Sequence, residues 1–181
     1  MNILNNLYVI LILRVLHLGG GIMWVGSAAL YLLLLIPAVR SVQSAGQKFM
    51  QAFGPRFGAM MGIVTTVTVL SGALLYARFF AGGISFIWTT GAGFGFTVGA
   101  VAALGSYILG TSYFGKMQGR IARLGAEMES AQGAPKPAQI QEMNRLQSSL
   151  MKAYQFDFFL LAVAMLAWQS QDICKAYSIC K

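Results

Sequence analysis

The chain contains a single histidine, His17, set inside a long apolar run with Arg14 one turn before it and Gly20 and Gly21 one turn after. Residues three, four and seven positions apart share a helix face, so Arg14, His17, Gly21 and Trp24 form one stripe. An ionisable side chain at membrane depth costs about 2.5–3.5 kcal/mol on insertion scales, which makes each one a functional-site hypothesis. Two readings fit the stripe. In the first, His17 ligates the metal of haem b or a related tetrapyrrole, glycines make room for a flat ring, and Arg14 meets a propionate. In the second, a neutral His17 is hydrogen-bonded to another helix while Arg14 snorkels to headgroups.

Other chemistries find less support. Zinc or copper(II) takes several nitrogen, sulfur or carboxylate ligands, and the chain offers His17 alone as an imidazole. Met23, Met60, Met61 and Met165 suit copper(I) by type, but they form no extended motif and read as packing. Asp157 reads as a first-turn residue of the last apolar segment, favouring a helix N-terminus and lying near Lys152. Cys174 and Cys180 share the tail, where a disulfide in an oxidising compartment is expected; a reduced pair is the alternative. Their spacing is not that of covalent haem attachment. No acyl-transfer triad, phosphate loop or zinc-binding helix motif occurs, so catalysis by side chains alone is not expected.

The elements that must position these residues follow from composition. Of 181 residues, 57% are hydrophobic and only 10% are charged, whereas a soluble domain carries about a quarter charged residues. Such a chain needs the lipid bilayer as its solvent. Four runs reach the roughly 20 apolar residues that span hydrocarbon, at about 7–36, 57–80, 91–115 and 154–173. The expectation is an all-α integral membrane protein of one domain, 1–181, built as a four-helix bundle. The first run lacks a basic leader and a cleavage motif, and so reads as a retained span.

Basic residues set the orientation. Arg40, Lys48 and Arg56 in the first loop join Lys116, Arg120, Arg123, Lys136, Arg145 and Lys152 in the third, against Arg78, Lys175 and Lys181 on the other side. Nine against three predicts cytoplasmic first and third loops, with both termini outside an inner (plasma) membrane. Cations placed this way touch lipid headgroups, and no nucleic-acid partner is expected despite the net charge of +8.

The third loop is itself patterned. Ile121, Leu124 and Met128, then Ile140, Met143, Leu146 and Leu150, recur at helical spacing around Gly133-Ala134-Pro135-Lys136-Pro137. A cytoplasmic helical hairpin over about 116–152 is expected, packing on itself or offering a docking surface. Gly54, Gly58 and Gly62, and Gly91, Gly95 and Gly99, recur every four residues and predict close helix crossings.

Arg14-Val15-Leu16-His17, Met23-Trp24-Val25-Gly26 and Pro37 resemble the opening helix of the copper-resistance D (CopD) superfamily, which includes the HemJ-type protoporphyrinogen oxidase. Phe49-Met50, Arg56, Leu70-Ser71-Gly72 and Trp88 extend the resemblance over most of the chain. It implies that His17 matches a haem-associated histidine. It also implies a His and a Lys after the tryptophan opening the third helix, where this chain has Thr89-Thr90-Gly91-Ala92-Gly93. The resulting expectation is a non-enzymatic membrane subunit of an electron-transfer type assembly, with other membrane-protein subunits as partners. A tetrapyrrole oxidase and a copper transport protein are the alternatives.

Overall fold

A computed structural model describes residues 6–80, 83, 85, 90–131, 134 and 136–177, with only the backbone described from residue 168 on. Among the described residues there is no strand. Asn6 starts α1 (Leu7–Leu30), its side chain accepting from the Tyr8 backbone N–H at 2.9 Å. A wide, π-helical turn at Tyr31–Leu35 carries α1 into α2 (Ile36–Ser41). There the Ile36 N–H bonds to the Tyr31 carbonyl, five residues back. The first run therefore does not stop at Pro37. A proline lacks the N–H that an ordinary turn requires, and the widened turn accommodates that loss.

Helix α3 (Gln43–Phe80) begins well before the expected second span and passes through Pro55. Thr90 caps α4 (Gly91–Leu109) through a bond from the Gly93 N–H at 3.0 Å. A second wide turn, Gly110–Phe114, leads straight into α5 (Gly115–Ser130). Hydroxyls cover carbonyls there: Thr111 donates to Tyr107 at 2.9 Å, and Ser112 donates to Ile108. Helix α6 (Pro137–Tyr177) runs unbroken, so the second arm of the expected hairpin and the fourth span are one helix. Pro137 holds its first position, where a missing N–H costs nothing. Four helical stretches are long and apolar enough to cross a membrane: Leu7–Ser41, Lys48–Arg78, Gly91–Ser130 and Pro137–Ala167.

Helix α1 packs chiefly on α3, and α4 chiefly on α6. Along α1 and into the wide turn Ile10, Trp24 and Tyr31 are buried, and with His17 they repeat every seven residues. That period is the seam of two helices crossing at a shallow angle. Outward positions such as Ile22, Ile63 and Leu166 are exposed and apolar, as a lipid-facing surface requires. Helix α5 folds back on α6, where Leu146 is buried and Ile121, Leu124 and Met128 are half-buried. The apolar stripes of the hairpin thus cover one another.

An aromatic knot joins all four long stretches at one end. Tyr31 stacks on Phe57 (centroids 5.3 Å apart) and meets Tyr154 edge-on at 5.1 Å. Tyr154 lies 4.5 Å from Phe114, and Phe49, Phe53 and Phe57 stack along α3. Tyr31 and Phe114 both lie in the wide turns, which aim them inward.

Candidate functional site

The interior between the helices is polar where it is best buried. Thr65, Thr68, Ser71, Ser106 and Asp157 are all buried, with Ser106 at 1% exposure. In hydrocarbon, such groups must find partners within the protein. Their partners define what they can do.

His17 is half-buried on the α3-facing seam of α1. Its Nδ1 lies 2.8 Å from the Thr68 carbonyl oxygen. A carbonyl only accepts, so Nδ1 carries a proton and the imidazole donates at that edge. The same carbonyl receives the Ser71 hydroxyl at 3.1 Å. Gly72 lies so close that a Cβ there would stand 2.6 Å from His17 Cε1 and 2.8 Å from Nδ1. Only a residue without a side chain admits the ring at this crossing.

The other members of the stripe diverge. Trp24 joins the seam and is 5% exposed. Arg14 is exposed. Gly21 has nothing within 4 Å of its Cβ position, whereas Gly20 does the packing: a Cβ there would meet Thr68 Oγ1 at 2.2 Å. Thr68 Oγ1 is itself fixed by donating to the Val64 carbonyl at 2.8 Å. Helix α3 thus fills the space beside Gly20, while the Gly21 side is open.

Between α4 and α6 the Ser106 hydroxyl donates to the Asp157 carboxyl. Asp157 lies well inside α6, which corrects its placement in a first turn: the helix starts twenty positions earlier, and no helix terminus is near. One turn before it, Tyr154 accepts from the Gln118 side chain at 2.6 Å. Between α3 and α4, two reciprocal pairs form. Tyr107 hydroxyl meets Thr66 at 3.2 Å, and Tyr76 meets Thr97 at 2.6 Å. Thr97 already donates to the Gly93 carbonyl at 2.7 Å, so the Tyr76 phenol is the donor in its pair.

The glycine repeats separate. Gly99 packs on the Ala164 backbone, its Cβ position 3.3 Å from that carbonyl oxygen. Gly54, Gly58 and Gly62 have nothing within 4 Å of their Cβ positions, so the crossing expected there is not made among the described residues. Cys174 and Cys180, expected as a disulfide, and Trp88 lie outside the described side chains.

A resident tetrapyrrole finds a poor fit. Gly72 occupies one edge of the imidazole, Thr68 fills the Gly20 notch, and the chain has no second histidine. Among the described residues no group of three or more His, Cys, Asp or Glu could hold a metal ion. The donor set supplies one imidazole nitrogen, and on the Gly20 side α3 packs against α1.

Sequence reasoning missed the Ser106–Asp157 pair and the two Tyr–Thr pairs. The signal available was their types alone: hydroxyls and a carboxyl within apolar runs. Comparison with known protein families, with curated proteins and with solved structures finds no match for this chain.

Proposed function

We propose that this protein is a non-enzymatic, multi-pass membrane subunit or accessory protein of a larger membrane assembly. The supporting observation is the use to which His17 is put. Its one N–H is spent on the Thr68 carbonyl and its ring edge rests on Gly72. The residue that could have carried chemistry instead fastens α1 to α3. Ser106–Asp157, Thr66–Tyr107 and Tyr76–Thr97 play the same part between the other helices.

A partner subunit is supported by Gly54, Gly58 and Gly62. Small residues at four-residue spacing let helix backbones approach in lipid. Here the Cβ positions of that stripe have no neighbour within 4 Å among the described residues. In the proposed orientation the nine cations of the first and third loops face the cytoplasm and both termini lie outside.

Purification from native membranes, followed by mass spectrometry of the co-purifying chains and a visible spectrum, tests the reading. Stoichiometric membrane-spanning partners and no Soret band are expected. Recovery as a lone species would remove the subunit role. A Soret band lost in His17→Ala would restore the tetrapyrrole in its place.

A further inference from the structure

Helices α4 and α6 leave an open groove of about 610 Å³ on their outer side. One wall carries Val101, Gly105, Ile108 and Ser112, and the other Phe156 and Leu160. No ionisable side chain lines it. Val101, Ile108 and Phe156 are each more than half exposed, so the groove opens to the surroundings rather than into the bundle. From Thr97 to Ser112 its longer wall runs about 22 Å at the helical rise, about one and a half leaflets of a hydrocarbon core about 30 Å thick.

Its two walls end on cations. Lys116 follows Ser112 by four residues and Lys152 precedes Phe156 by four, each one turn beyond the groove on its own wall. Both lysines are exposed, and neither has a carboxylate within 4.0 Å among the described residues. They sit at the level of the aromatic knot, two residues from Phe114 and two from Tyr154, where rings mark a membrane boundary.

We infer that the α4–α6 groove binds an anionic phospholipid, one acyl chain lying along the apolar walls and the phosphate held between Lys116 and Lys152. This rests on the proposal that the four helices cross a bilayer. Charge decides the occupant: a second protein helix would meet two uncompensated ammonium groups at the mouth, whereas a lipid phosphate neutralises them. Lysines near a membrane surface each favour anionic over zwitterionic lipid, and two together set the expected preference at about tenfold or more.

The test uses the full chain in mild detergent doped with phosphatidylglycerol or phosphatidylcholine of identical chains, with retained lipid counted by native mass spectrometry. Phosphatidylglycerol is expected to be retained about tenfold over phosphatidylcholine. K116Q/K152Q should abolish that preference, whereas R40Q/R145Q, at exposed sites away from the groove, should keep it. V101W, which fills the groove from an exposed position, should reduce retention of both lipids. Equal retention of the two lipids by the parent chain, or an unchanged preference in K116Q/K152Q, overturns the inference. So does a protein chain, rather than lipid, displaced by V101W. Partition into the aqueous phase without detergent would instead overturn the membrane-spanning reading itself.

Discussion

The Ser106 hydroxyl donates to the Asp157 carboxyl between α4 and α6, and both side chains are buried. Ser106→Ala removes the donor and leaves a buried carboxyl oxygen unpaired. The expected loss is about 1–3 kcal/mol, read as a lower thermal midpoint in detergent. Asp157→Asn keeps an acceptor for the hydroxyl and should lose less. Equal stability of Ser106→Ala and the parent would refute the pairing.

His17 and Gly72 should be energetically coupled. A methyl at position 72 runs into the imidazole, so Gly72→Ala should destabilise by about 1–3 kcal/mol, the usual range for overpacking. The double variant with His17→Ala should recover most of that loss. Simple additivity of the two changes would mean that the residues do not meet.

Neighbouring glycines offer a sharper contrast. Gly20→Ala forces Thr68 out of its bond to the Val64 carbonyl, whereas Gly21→Ala enters open space. The first should lower the thermal midpoint. The second should leave it unchanged or raise it slightly, alanine being the better helix former by about 1 kcal/mol. The reverse order would place the α1–α3 contact on the other face of α1.

Gly58→Leu and Gly62→Leu should separate folding from assembly. A Cβ at either position has nothing within 4 Å among the described residues, so the isolated protein should melt nearly as before. If the stripe receives a partner helix, co-purification should fall severalfold. Unchanged partner recovery in both variants would clear that surface of the role.

Much of the architecture was legible before any coordinates. Apolar run length marked the four long helices, and apolar residues at three- and four-residue spacing marked the α5–α6 hairpin. The junctions were not legible, because a change from polar to apolar sequence alters the residue types without ending the helix, as at Phe57 in α3 and Tyr154 in α6. Proline at position 37 looked like a stop, but a widened turn absorbed it. The faces of the spans were harder still. In a helix apolar all round, composition does not say which side meets a neighbour, so the stripe was drawn through Gly21 although Gly20 is the glycine that packs on α3. Ser106 and Asp157 lie on different helices, and nothing local to either announces the other. His17 was singled out correctly as unusual; the Thr68 carbonyl that receives its proton carries no side-chain signature at all.

The two tyrosine–threonine pairs between α3 and α4 have one more implication. Thr66 and Tyr76 stand ten residues apart on one helix, Thr97 and Tyr107 ten apart on the other, and each phenol finds the opposite threonine. Because the helices run antiparallel, sliding one along the other in either direction would carry both partners away together. A piston-like stroke is therefore the motion this bundle resists most. Any rearrangement that keeps both fasteners must instead pivot about the line joining them, swinging α1 and α6 while the centre stays in gauge.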